Sequence, residues 1–116
     1  MWAFAANNAC IASGNFSFAE GYGKATQYIS HAEGEYATAS GYASHAEGSY
    51  TEASATSSHA EGESTQAAQP CAHAEGYHTL AERDGSHAEG NYTVSNGYYS
   101  HAEGNYTEAS GFCAHA

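Results

Sequence analysis

Large aliphatic side chains are almost missing from this chain. Its 116 residues hold one Leu (Leu80), one Val (Val94), one Met (Met1) and two Ile (Ile11 and Ile29). The hydrophobic share of 41% therefore rests on Ala and on aromatics, ten Tyr and four Phe among them. A core of large aliphatic groups packed to the usual interior density is excluded. Thirteen Gly argue against a helical bundle, since each costs about 1 kcal/mol in a helix interior. Positive charge is scarce as well: Lys24 and Arg83 face thirteen acids, for a net −11 with His neutral. Without a basic footprint the chain is expected to bind no nucleic acid, and anionic membrane surfaces are poor partners for the same reason. No apolar run approaches a transmembrane length, so no membrane insertion is expected. The opening Met1-Trp2-Ala3-Phe4-Ala5-Ala6 lacks a basic n-region and is too short in apolar length for a secretory signal. Three Cys (Cys10, Cys71, Cys113) cannot all pair within one chain, so no closed disulfide framework is implied. High polarity and excess acid would suit a disordered chain, but the order of residue types argues otherwise.

That order is a repeat. The tetrapeptide His-Ala-Glu-Gly begins at His31, His45, His59, His73, His87 and His101, always fourteen residues apart, and His115 opens another copy. Phe18-Ala19-Glu20-Gly21 fills the slot thirteen residues before His31, and Phe4-Ala5-Ala6-Asn7 fills it one coil earlier. Residues 1–116 thus read as one repeat domain of about eight coils, starting near 4, 18, 31, 45, 59, 73, 87 and 101. Each coil divides into two halves of seven: a small residue, x, Ala, x, Gly, then two linkers that are often aromatic. A coiled coil needs two large apolar residues per heptad and tolerates Gly badly. Alternation at period two predicts strands instead, with Gly closing each strand and the linkers turning the corner. Two strands and two turns make a flattened coil, and coils stacked by parallel pairing at about 4.8 Å give a rod roughly 40 Å long. The fold class predicted is all-β, a parallel β-roll or β-solenoid of 14-residue coils.

Alternation also assigns the faces. In the coil from Ser30 to Ala43, the small set is Ser30, Ala32 and Gly34, then Ala37, Ala39 and Gly41. Only these suit a narrow interior between two close sheets. His31 and Glu33 must face outward on one sheet, and Thr38 and Ser40 on the other. The first outer face is uniform: His31/Glu33, His45/Glu47, His59/Glu61, His73/Glu75, His87/Glu89 and His101/Glu103. The second varies: Thr38/Ser40, Glu52/Ser54, Gln66/Ala68, Leu80/Glu82, Val94/Asn96 and Glu108/Ser110. A face held constant within one chain points to contact, a variable one to solvent. At the N-terminal end Phe4 and Phe18 take the His slot, which suits a dry, packed position. The oligomer interface is therefore assigned to Phe4, Phe18 and the six His/Glu pairs. A roll cored by Ala, Ser, Thr and Gly buries little apolar area at about 25 cal/mol per Å², and so needs a partner surface.

The pattern Ser-x-Ala-x-Gly-x-x-[Ser/Thr]-x-Ala-x-Gly-x-x resembles the head repeats of trimeric autotransporter adhesins, the YadA-like head. Its Ser-His-Ala-Glu-Gly version also resembles repeats of phage tail-fibre and bacterial surface-fibre proteins. The resemblance implies a left-handed β-roll with three chains packed around a threefold axis, on an extracellular, cell or virion surface. It places His31 and Glu33, and their counterparts in every later coil, where the family directs Val and Ile at neighbouring chains. Departing from that aliphatic stripe, His and Glu would have to bond each other across chains, because unpaired buried charge is too costly. The function expected is a structural or adhesive segment of a trimeric surface fibre or adhesin head, with a host protein or glycan as candidate partner. The alternative is an extracellular filament subunit stacking head to tail through open strand edges.

Other chemistry is less well supported. Ser, His and Glu recur side by side but do not converge on one pocket, and Ser and His point to opposite faces, so no enzyme and no cofactor is expected. His and Glu two apart share a face, which leaves a His-rich metal-binding solenoid as a further alternative, though metal-free pairs are the simpler reading. Gly21-Tyr22-Gly23-Lys24-Ala25-Thr26 lacks the spacing of a phosphate loop and reads as the shortened turn of the thirteen-residue coil. Asn15-Phe16-Ser17, Asn91-Tyr92-Thr93 and Asn105-Tyr106-Thr107 match the glycosylation pattern, but fall at turns where Asn is expected anyway. Tyr28, Tyr36, Tyr42, Tyr50, Tyr92, Tyr98 and Tyr106 are placed at corners, stacking down the rod's edges, with an adhesive aromatic surface as the functional reading. Cys71 and Cys113 share a corner three coils apart, roughly 14 Å at the strand spacing, too far to bridge. Cys10 aligns with an interior Thr slot as a buried thiol.

Overall fold

A computed structural model of the chain describes residues 1–7 and 9–116. The period-two alternation and the Gly-punctuated halves fold as an all-β parallel solenoid of about eight turns. One sheet stacks Phe4–Ala6, Phe18–Gly21, His31–Glu35, His45–Ser49, His59–Glu63, His73–Tyr77, His87–Asn91 and His101–Asn105 in sequence order. The other stacks Ile11–Ala12, Lys24–Ala25, Thr38–Ala39, Glu52–Ala53, Gln66–Ala67, Leu80–Ala81, Val94–Ser95 and Glu108–Ala109. The Cα envelope measures 41 × 21 × 10 Å, a flat rod of the expected length.

The interior is the predicted one. Ala32, Ala46, Ala60, Ala74 and Ala88 on the long strands face Ala39, Ala53, Ala67 and Ala81 on the short ones, all without solvent exposure. Ser30, Ser44, Ser58, Ser86 and Ser100 complete it at the corners, with Thr51, Thr65, Thr79 and Thr93 opposite. Methyl- and hydroxyl-sized groups fill the gap because the two sheets lie too close for anything larger. Four of the Thr hydroxyls are buried with no hydrogen-bond partner, a cost the roll carries in every central coil.

The two halves of a coil differ more than their sequences suggest. Both were expected to form five-residue strands, but only the His half does, and it runs from His31 to Glu35 rather than from Ser30. The other half contributes two residues to its ladder. The reason is the turn after it. Ser44 Oγ donates to the Gly41 carbonyl at 2.7 Å and accepts from the Gly41 amide at 3.1 Å, while Ala43 takes φ 54°. The same hydroxyl clamp recurs at Ser30, Ser58, Ser86 and Ser100. A Ser recruited into a turn cannot open the next strand.

Gly34, Gly48, Gly62, Gly76 and Gly90 are required for two reasons. Their φ values lie between 107° and 113°, and a Cβ on any of them would run into the carbonyl oxygen of the Gly one coil further on. The thirteen-residue coil loses its residue at this corner: Gly21 pairs with Gly34, and Lys24 with Thr38. Gly23 then sits where a Cβ would lie 2.6 Å from the Ala32 carbonyl oxygen, so the shortened turn needs it.

Candidate functional site: a stacked histidine–glutamate face

Parallel pairing without offset sets His31 beside His45, His45 beside His59, and so on to His101, with each Glu beside the next Glu. The alternation that buries each Ala turns these His and Glu side chains outward on one face. The imidazoles form a continuous stack, with centroids between 4.5 Å (His31–His45) and 4.9 Å (His101–His115) and planes within 13° of parallel. Phe18 and Phe4 extend the column, Phe18 edge-on to His31 at 4.8 Å and Phe4 stacked on Phe18 at 5.1 Å. Phe4 itself is exposed on the single chain and Phe18 half-buried.

Each imidazole meets the carboxylate of its own strand. His Nε2 and Glu Oε2 are 3.3 Å apart in the pairs His31–Glu33, His45–Glu47, His59–Glu61 and His73–Glu75. His87–Glu89 is 3.6 Å, and His101 reaches back to Glu89 Oε1 at 3.4 Å. These are ion-pair distances without hydrogen-bond alignment: Nε2 of His31, His45, His59, His73, His87 and His101 is shielded from solvent by the stack yet makes no hydrogen bond. These contacts lie within one chain, because residues two apart on a strand share a face.

Stacking like on like shifts the titration of both columns. Burial, and then the neighbouring imidazoles, hold His45, His73 and His87 below the ordinary histidine value, against the pull of adjacent carboxylates. In the Glu column, hydrogen bonding to Glu89, then desolvation and hydrogen bonding to Glu61, push Glu75 up to about 7. Glu89 is lowered in turn by hydrogen bonds from Glu75 and Glu103. Burial acts to raise Glu61, but hydrogen bonding to Glu75 and the charge of His59 lower it on balance. The shifts of Glu61, Glu75 and Glu89 are coupled to one another and belong to the three together rather than to any one residue. Like-on-like register at the strand spacing is the sequence signal for this.

The Ser before His31, His45, His59, His87 and His101 is buried on the opposite side of the strand, bonded into its turn, and does not approach the imidazole. Tyr22, Tyr36 and Tyr50 stack at 5.8 and 5.0 Å, and Tyr92 and Tyr106 at 5.0 Å, so these rings cover one another's faces and present mainly edges. Tyr28 and Tyr42 stack at 5.6 Å, and Tyr98 lies under the Arg83 guanidinium at 5.9 Å. Asn91 Nδ2 donates to Asn105 Oδ1 in an outer ladder. Cys10, Cys71 and Cys113 are free thiols. Cys71 and Cys113 are exposed, and Cys10 is only half-buried, its Sγ donating to the Asn7 carbonyl at 3.2 Å; the end coil covers that slot less fully than the Thr positions further in. No protein-family model matches the chain, and no curated protein matches it.

Proposed function

We propose that the chain is a rod segment of a trimeric surface fibre or adhesin head, a left-handed roll whose His/Glu face packs on two further copies. One observation carries this reading. The face held constant from coil to coil is also the face whose imidazole nitrogens are shielded but unpartnered, while the opposite face varies freely. The His and Glu side chains as a whole remain partly exposed on the single chain, and a neighbouring chain bearing the same columns can cover them. The thin Ala-lined interior supports the same conclusion, since a roll 10 Å thick buries little apolar area alone. The resemblance to YadA-like heads supplies the threefold arrangement and the surface location, with a host protein or glycan as the partner of an adhesive head. No catalytic role is proposed. Analytical ultracentrifugation tests the assembly: a trimer has three times the 12.1 kDa of the chain. A monomeric mass at every concentration measured would defeat the proposal.

A further inference from the structure

Three groups on the His/Glu face each bring two imidazole nitrogens and a carboxylate oxygen within 4.8 Å of one another: His73–Glu75–His87, His87–Glu89–His101 and His101–Glu103–His115. We propose that, on the face as the single chain presents it, these groups bind divalent transition-metal ions of the Zn²⁺ type, two per chain.

The donor set is the first argument. Two imidazoles and a carboxylate suit Zn²⁺, Cu²⁺ and Ni²⁺, whereas Ca²⁺ and Mg²⁺ take oxygen ligands. Distance is the second. Ligands at 2.0–2.1 Å from a tetrahedral Zn²⁺ are separated by about 3.3–3.4 Å. His73 Nε2 and Glu75 Oε2 already stand 3.3 Å apart, and His101 Nε2 and Glu89 Oε1 3.4 Å. Third, Nε2 of His73, His87 and His101 is shielded and unpartnered, so a lone pair there has no competing bond. The chain's net −11 charge adds a general attraction for cations.

Two constraints shape the site. Parallel rings 4.6 Å apart point their nitrogens along parallel lines, so His73 and His87 must tilt toward a shared ion. The χ2 torsion of His is broad, and their outer edges face solvent, so nothing blocks the tilt. Each Nε2 holds only one ion, and the middle group shares His87 with the first and His101 with the third. Filling the first and third leaves the middle with Glu89 alone, which sets the count at two. His73–Glu75–His87 fills first, because the third group is looser, with Nε2–Oε separations of 3.9 Å at His101 and 3.8 Å at His115. Water completes each coordination sphere.

The test is calorimetric titration of the chelator-stripped full chain with Zn²⁺, alongside visible absorption of the Co²⁺-loaded chain. Two equivalents should bind, and Co²⁺ should give the intense absorption of tetrahedral coordination. The control is His73→Phe/His87→Phe/His101→Phe/His115→Phe, a set the fold should accept because Phe4 and Phe18 occupy the same column. That variant should lose both equivalents. Glu75→Gln/Glu103→Gln keeps the side-chain shape and every His, and should weaken binding roughly tenfold. Absence of saturable Zn²⁺ binding, or binding unchanged in the Gln variant or in the folded Phe variant, overturns the proposal.

Discussion

The ring of Phe18 packs edge-on against the ring of His31, centroids 4.8 Å apart, so an aromatic hydrocarbon and an imidazole occupy successive rungs of one column. The slot therefore selects for a flat ring more than for a titratable group. His59 has imidazoles above and below, at 4.7 Å to His45 and 4.6 Å to His73. Replacing it by Phe keeps the stack and removes a shielded nitrogen that makes no hydrogen bond. His59→Phe should leave stability in urea unfolding within about 1 kcal/mol of the parent or raise it. His59→Asp breaks the stack and sets a third carboxylate beside Glu61 and Glu47; it should cost more than about 1 kcal/mol.

Gly62 tests the corner from the other side. Its φ is 107°, and a Cβ there would collide with the Gly76 carbonyl oxygen, a backbone atom fixed by the next rung. Strain at such a φ costs about 1–3 kcal/mol before the collision is counted. Gly62→Ala should therefore destabilise by at least about 2 kcal/mol in denaturant unfolding. Gly111→Ala is the control: a Cβ there meets only the Ala114 side chain at 3.5 Å, so it should be far milder.

The parts of this fold legible in the sequence were those set by period and size. Fourteen-residue spacing gave the rungs, and the alternation of Ala32 with His31 and Glu33 gave the faces, because a strand has one inside and one outside. Gly23 could be placed as a shortened turn because its coil is one residue short. What the alternation concealed was the use of Ser44. Ser at that position satisfies an inward-facing strand slot and a turn clamp equally well, and only the backbone decides between them. His and Glu two apart on one strand face were legible as neighbours, whereas the stacking of each imidazole on the next depends on side-chain torsions that composition does not set.

Ala72 is an internal position where the clamp is missing. It takes the Ser slot of its coil and is almost fully buried, and its amide still donates to the Gln69 carbonyl at 3.0 Å, as the clamping Ser residues do in theirs. The backbone is already in the right conformation for a hydroxyl. Ala72→Ser should supply both bonds seen at Ser58, donating to the carbonyl and accepting from the amide three residues back. A stabilisation of about 1 kcal/mol is expected, read as a rise in unfolding midpoint at unchanged m-value. A destabilised variant would mean that the cavity around Ala72 is narrower than in neighbouring coils.

The imidazole column and Glu75 respond to pH with opposite signs, so their balance can be measured. His45, His73 and His87 lie below 6.5 in the fold, so the unfolded chain takes up protons first as pH falls through that value, and stability is lost. Glu75, raised from 4.5 to about 7, works the other way: its contribution is full below 4.5 and disappears as pH rises through about 7. Glu61 and Glu89 are lowered, so theirs is present above 4.5 and lost as pH falls through their depressed values. Between pH 7 and pH 5 three imidazoles therefore oppose one carboxyl, and further acidification adds the loss from Glu61 and Glu89. Thermal melts with chelator present should show Tm highest near neutrality, falling gently toward pH 5 and steeply below about pH 4.5. A Tm that climbs between pH 7 and pH 5 would mean that Glu75 outweighs the buried imidazoles.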